Sequence, residues 1–125
     1  MALQESGEMY LETIYVLSLT SSTIQGIDVG EYMGYSKPSV SRAIKVLKGE
    51  GFVIIDESGY IKLTKEGLKK AKSIYERHTV LTKLLMNLGV DKKTATEDAC
   101  RIEHYISDKT FKAIKNHMLK YAPKE

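Results

Sequence analysis

A single cysteine, Cys100, stands among the 125 residues, so no intramolecular disulfide can staple the chain. Its thiol is left as a small buried hydrophobe, a redox site or a metal ligand. No apolar run is long enough for a bilayer: Phe52 to Ile55 and the interrupted stretch Val80 to Val90 fall well short of the roughly 18 to 20 residues a crossing needs. The opening MALQESGEMYLE is acidic and has no signal-peptide pattern, so a cytoplasmic protein without a membrane partner is expected. Internal repeats and low-complexity tracts are absent as well. What is present is the 42% hydrophobic content of an ordinary soluble globule, with room for one domain or for two small halves sharing a core. The net charge of +3 is modest, but Lys37, Arg42, Lys45 and Lys48 fall within a dozen residues that contain no acid. Such a run is either a solvated helix face or a nucleic-acid face, and the surrounding fold has to decide.

Apolar residues recur at helical spacing through residues 8 to 19 (Tyr10, Leu11, Ile14, Tyr15, Leu17), which predicts a first helix followed by a Ser/Thr-rich exit loop at 18 to 23. A short helix near Asp28 to Met33, a turn at Gly34-Tyr35-Ser36, and a further helix opened by Pro38 come next. In that further helix Val40, Ala43, Ile44 and Leu47 make one apolar arc, opposite Ser39, Ser41, Arg42 and Lys45. The period then changes from helical to two. Phe52 to Ile55 and Tyr60 to Thr64 read as strands joined by the turn Asp56-Glu57-Ser58-Gly59. A helix-turn-helix followed directly by a two-stranded hairpin is a winged-helix arrangement, and in that setting the basic run reads as a DNA face. From Thr64 to Leu88 the stripe Leu68, Ala71, Ile74, Tyr75, His78, Leu81, Leu85, Leu88 predicts one long helix, ended by Gly89. Two more helices are expected, over 91 to 105 and from Ser107-Asp108 to about Lys120. The fold class is mainly α: a winged helix-turn-helix over 1–64, then an all-helical domain over 65–125.

Cys100, Glu103 and His104 stand at i, i+3 and i+4, so on a helix a thiolate, a carboxylate and an imidazole project from one face within reach of one ion. The alternative is a buried cysteine beside a surface Glu-His pair. His78 sits inside the apolar stripe of the long helix, where an unpaired imidazole would be costly; it is a ligand or a satisfied core residue. Met9 and Glu12, one turn apart on the first helix, supply a thioether and a carboxylate, or else core filler and a solvent-facing acid. Taken together the six offer soft and hard ligands from three helices.

The stretches EMYLETIYVL (8 to 17), SKPSVSRAIKVLKGEGFV (36 to 53), IKLTKEG (61 to 67), ERHTVL (76 to 81) and ACRIEHYISD (99 to 108) together make the chain resemble the diphtheria toxin repressor and manganese-transport regulator family of metal-dependent transcriptional repressors. The resemblance runs over nearly the whole chain. It implies that residues 65–125 form a dimerisation and metal-binding domain, and that the protein binds double-stranded operator DNA as a homodimer when metal is bound. It also implies that Met9, Cys100, Glu103 and His104 form the primary site of the iron-responsive branch, with His78 a ligand of a second site. Ser36, Lys37, Pro38, Ser39, Ser41 and Arg42 match the DNA-contacting part of the recognition helix; Lys45 adds a phosphate partner.

Three departures from the iron-responsive branch bear on the metal. Thr82 and Thr96 replace a glutamate and a histidine of the second site, which weakens or rebuilds it. Glu12 matches a ligand position of the manganese branch and could join His78 and Glu103 around a second ion. The chain ends after the helical domain, so the short form without an SH3-like domain is expected. Sulfur ligands favour Fe²⁺, Co²⁺, Ni²⁺ or Zn²⁺ over Mn²⁺, and Fe²⁺ is the expected cofactor. The rival reading is a winged-helix regulator that senses an organic ligand or an oxidant through Cys100 without metal. A hydrolase would need a second catalytic constellation that the chain does not offer, so no enzymatic activity and no small-molecule substrate are expected.

Overall fold

The computed structural model describes residues 5–121. Among these, the elements follow in the order α1 (Glu5–Ser18), α2 (Gly26–Met33), α3 (Lys37–Gly49), β1 (Val53–Ile55), β2 (Ile61–Leu63), α4 (Lys65–Asn87), α5 (Lys92–Ile102) and α6 (Asp108–Tyr121). They fall into two compact units that divide inside α4, after Ser73. No described helix is long and apolar enough to cross a membrane.

In the first unit, α1 packs on α2, α3 and β2 through the predicted stripe. Tyr10, Leu11 and Ile14 are buried there, together with Val29 of α2, Val40 and Leu47 of α3, Val53 and Ile61 of the strands, and Ala71 of α4. Each large aliphatic side chain removed from water in this way contributes about 1.5–3 kcal/mol. The turn between α2 and α3 depends on Gly34, whose φ of 73° is left-handed and whose N–H donates to the Gly30 carbonyl at 2.8 Å. Ser36 then caps α3 by accepting from the Ser39 N–H at 3.3 Å, and Pro38 occupies the first turn, where its missing N–H costs nothing.

The strands pair antiparallel with Val53 opposite Leu63 and Ile55 opposite Ile61. Asp56 shapes their connection, its Oδ1 accepting from the N–H groups of Ser58 and Tyr60, both at 2.9 Å. Each strand is shorter than its periodicity predicts: a single bond continues the pairing at either end, from the Thr64 N–H to the Phe52 carbonyl at 3.0 Å and from the Asp56 N–H to the Tyr60 carbonyl at 2.9 Å, while the other flanking groups turn elsewhere. Phe52 donates its N–H back to the Leu47 carbonyl at the end of α3. Thr64 accepts from the Gly67 N–H at 3.0 Å and so caps α4.

In the second unit Ile74, Leu81, Ala95, Ala99 and Phe111 are buried. Leu68, Tyr75 and Leu88, expected on the buried stripe of α4, are instead exposed. Asp91 caps α5, accepting from the Thr94 N–H at 3.0 Å; this bond, then the Thr94 hydroxyl, holds its carboxyl below the ordinary range. Here the structure corrects the expected helix over 91 to 105. α5 stops at Ile102, whose carbonyl accepts from both Tyr105 (3.0 Å) and Ile106 (3.2 Å), a tight turn that delivers Ser107 to cap α6 through the Thr110 N–H.

Candidate metal centre and nucleic-acid face

Glu103 and His104 therefore lie in the turn that follows α5, while Cys100 lies in its last turn. The predicted convergence survives because the backbone at Glu103 keeps helical angles (φ −57°, ψ −26°) and its N–H still donates to the Ala99 carbonyl at 2.9 Å. The Cys100 sulfur, a Glu103 carboxylate oxygen and a His104 ring nitrogen all lie within 4.8 Å of one another. The side chains of Glu103 and His104 are fully shielded from solvent, and Oε1 of the carboxylate stands 3.3 Å from Nε2 of the imidazole. From α4, Nδ1 of His78 meets the other carboxylate oxygen at 3.0 Å. Glu103 thus sits between two histidines, which excludes the reading of a surface Glu-His pair.

A divalent transition ion fits this arrangement. Neighbouring ligands around a tetrahedral zinc-sized ion stand roughly 3.3 to 3.7 Å apart; the Glu103–His104 pair already stands at 3.3 Å, and the whole trio lies within 4.8 Å. Oε1 of Glu103 is buried yet accepts no hydrogen bond among the described residues, the condition in which a carboxylate is stabilised by a cation. Thiolate and carboxylate together carry two negative charges for the two positive charges of the ion.

Met9 and Glu12 lie one turn apart on α1, each half-buried, with the Met9 carbonyl accepting from the Thr13 hydroxyl at 2.9 Å. Thr82 and Thr96 turn their hydroxyls onto their own helices, donating to the carbonyls of His78 (2.8 Å) and Lys92 (2.7 Å). Sequence reasoning missed Arg77, which donates from Nη1 to the carbonyls of Glu103 (3.1 Å) and Ile106 (2.8 Å). No spacing rule could have found it, because its partners are main-chain atoms distant in sequence.

On α3, Lys37, Pro38, Ser41, Arg42 and Lys45 are exposed along one side. Ser36 and Ser39 have duties inside the helix: beyond the cap, the Ser36 hydroxyl donates to that of Ser39 at 3.0 Å, and Arg42 reaches the Ser39 hydroxyl at 3.4 Å. Beside them Tyr35 tilts against Tyr10 with ring centroids 5.8 Å apart. These residues line a groove of about 530 Å³. Burial pushes the Tyr10 phenol up, Tyr35 adds to the shift, and the Arg42 charge opposes it.

Two family descriptions match the chain: the iron dependent repressor N-terminal DNA binding domain over residues 2–60, and the iron dependent repressor metal binding and dimerisation domain over residues 64–122. An uncharacterised HTH-type transcriptional regulator of Methanocaldococcus jannaschii is 32% identical over 124 residues, covering 98% of this chain and 99% of its own. The transcriptional regulator MntR of Salmonella typhimurium is 33% identical over 104 residues, covering 83% of this chain and 66% of its own. Among solved structures, the manganese regulator SloR superposes with a TM-score of 0.83 at 34% identity, covering 99% of this chain and 56% of that one. The chain thus spans just under two thirds of MntR and little more than half of SloR. With both halves matched in order, the chain belongs to the iron-dependent repressor family, the metal-dependent transcriptional regulators that include MntR and the diphtheria toxin repressor.

Proposed function

We propose that the protein binds operator DNA as a homodimer in the cytoplasm when Fe²⁺ is held by Cys100, Glu103 and His104 together with Met9, and releases the operator when metal-free. Residues 1–64 form the DNA-binding domain in this reading and residues 65–125 the dimerisation and metal-binding domain. The observation that carries it is the convergence of thiol, carboxylate and imidazole within 4.8 Å around a buried carboxylate oxygen. The sulfur ligands support iron over manganese, which stands lowest in the affinity order and favours oxygen donors. Glu12 and His78 are the residues left for a second ion. The engagement of Thr82 and Thr96 with their own backbones supports a second site weaker than the first.

The N-terminal half of α3 enters the major groove, and the two-fold dimer sets its two copies about 34 Å apart. Arg42 contacts guanine through its fork, Pro38 and Ser39 approach thymine methyls, and Lys37 and Lys45 hold phosphates; Ser36 and Ser41 complete the contact face. A bound ion would supply the positive charge that lets thiolate and carboxylate stay together beside the shielded Glu103 and His104 side chains. Held by these residues, an ion would favour the pre-existing arrangement that fits DNA, to the extent that it binds that arrangement more tightly. The role is regulatory, not enzymatic.

The test is a DNA-binding titration with Fe²⁺, Mn²⁺, Co²⁺, Ni²⁺ and Zn²⁺ under reducing, anaerobic conditions, using duplexes selected by the protein from a random library. Affinity should rise with metal, fall on chelation, and require far more metal in Cys100→Ala. DNA binding indifferent to every ion would overturn the proposal.

A further inference from the structure

The side chain of Arg77 is 14% exposed, one residue before His78 on α4. Its Nη1 donates to two carbonyls at once, Glu103 at 3.1 Å and Ile106 at 2.8 Å, while Nη2 meets the Asp108 carboxylate and the guanidinium carbon lies 5.3 Å from the centre of the Phe111 ring. Both carbonyls belong to the turn that leaves α5, beyond the last intrahelical donor. The N–H groups of Tyr105 and Ile106 are committed to the Ile102 carbonyl. Arg77 therefore supplies, from another helix, the bonds that a C-cap would otherwise provide. Glu103 is held at its N–H by Ala99, at its carbonyl by Arg77, and at its carboxylate by His78. One residue earlier on α4, Glu76 pairs with Lys115 at 3.0 Å and holds α6 alongside.

We propose that Arg77 is a positioning residue for the metal centre: it fixes the main chain of the turn so that the Glu103 carboxylate and the His104 imidazole face Cys100 before an ion arrives. This deepens the reading above and rests on it. Arginine suits the task because its planar fork carries donors on two separate nitrogens, Nη1 for the two carbonyls and Nη2 for the carboxylate, whereas the three donors of an ammonium group radiate from a single nitrogen. Asp108 is fully exposed, so its ion pair adds little and the carbonyl contacts carry the effect.

The experiment compares the wild type with Arg77→Met, Arg77→Lys and Asp108→Asn in the full chain. Co²⁺ affinity is measured by chelator competition under anaerobic, reducing conditions, and amide hydrogen exchange over residues 103–107 is followed in metal-free protein. Arg77→Met should lose about tenfold or more in Co²⁺ affinity, as removal of a ligand-orienting group does, and should exchange faster across the turn while its far-UV circular dichroism stays unchanged. Arg77→Lys should recover part of both. Asp108→Asn should stay within about twofold of the wild type, as an exposed pair allows. Wild-type affinity or wild-type exchange in Arg77→Met would overturn the proposal, and so would a loss in Asp108→Asn equal to that in Arg77→Met. If Arg77→Met does not fold, Arg77→Lys decides, and wild-type behaviour in both readouts would refute the role. Wild type that takes up no Co²⁺ defeats the metal reading itself, whereas normal wild-type uptake with unaltered variants defeats only the positioning role.

Discussion

Replacing Glu103 by Gln keeps the side chain's shape and removes its charge, which separates a cation site from an ordinary buried hydrogen-bonding cluster. The wild-type carboxylate has no exposure and two imidazole nitrogens at 3.0 and 3.3 Å. At an effective dielectric near 20, each charged pair at such a distance is worth about 5 kcal/mol gross, and taking the ions out of water costs several kcal/mol apiece. These terms nearly cancel. The histidines can be neutral when the carboxylate is gone, so no charge is stranded, and the metal-free melting midpoint of Glu103→Gln should move by only a few degrees. Metal changes the comparison. An ion present at a hundred times its dissociation constant stabilises the native state by about 2.7 kcal/mol. For a chain of 125 residues this raises the midpoint by roughly 10 °C. The rise should appear in wild type and vanish in Glu103→Gln. Melts followed by circular dichroism, at one protein concentration with and without Co²⁺ or Fe²⁺ under anaerobic conditions, measure both effects. A metal-induced rise in Glu103→Gln equal to that of wild type would refute the site.

Three further outcomes follow from the geometry. A Cβ at Gly67 would run into the Phe52 carbonyl oxygen, which also accepts from the Thr64 N–H, so the backbone has little freedom to yield. Overpacking there should outweigh the gain in helix propensity, and Gly67→Ala should lose about 1–2 kcal/mol in urea unfolding; equal or greater stability would show that α4 can shift away from β1. The Asp91 carboxyl is held below its ordinary range, chiefly by the Thr94 N–H, so its contribution is complete above the unfolded value and disappears as pH falls through the lower native value. Asp91→Ala should lower stability by a constant amount at every pH above that acid window and flatten the loss within it, as measured by denaturation at stepped pH. Arg42→Ala should weaken binding to the selected duplexes by about 1–3 kcal/mol and relax preference at one base position; unchanged affinity together with unchanged preference removes Arg42 from the readout.

Features set by a few neighbouring residues were legible in the sequence. The Gly34 turn, the helix start at Pro38, and the Asp56 turn with Gly59 each follow from one residue's dihedral or hydrogen-bonding preference. The end of α5 was misplaced because the extent of a hydrogen-bonded helix depends on where the next cap must lie. Ser107 draws the chain into a turn, although helical spacing continues in the side chains through His104. Arg77 was invisible for a different reason: it acts on carbonyls, which every residue has, and only the approach of α4 to that turn makes two of them its partners. Periodicity likewise assigned Leu68, Tyr75 and Leu88 to a buried face, but it reports which side of a helix is apolar and says nothing about how much of that side is covered.

The most informative case is Glu103, because spacing alone left open both a surface pair and a ligand. A glutamate at 2% exposure is rare unless something offsets the lost hydration. Here the main chain of the turn is bonded at both its N–H and its carbonyl, so the carboxylate reaches water only by turning about its own side-chain bonds and giving up its contacts with His78 and His104. A side chain that could have been apolar, or free to leave, is instead held charged-capable and dry beside a thiol and two imidazoles. Structural polarity of that kind adds nothing to a core that Leu or Met could fill more cheaply. It becomes favourable when a cation arrives, and this is why the burial of one carboxylate, more than the count of nearby ligand types, argues for a metal.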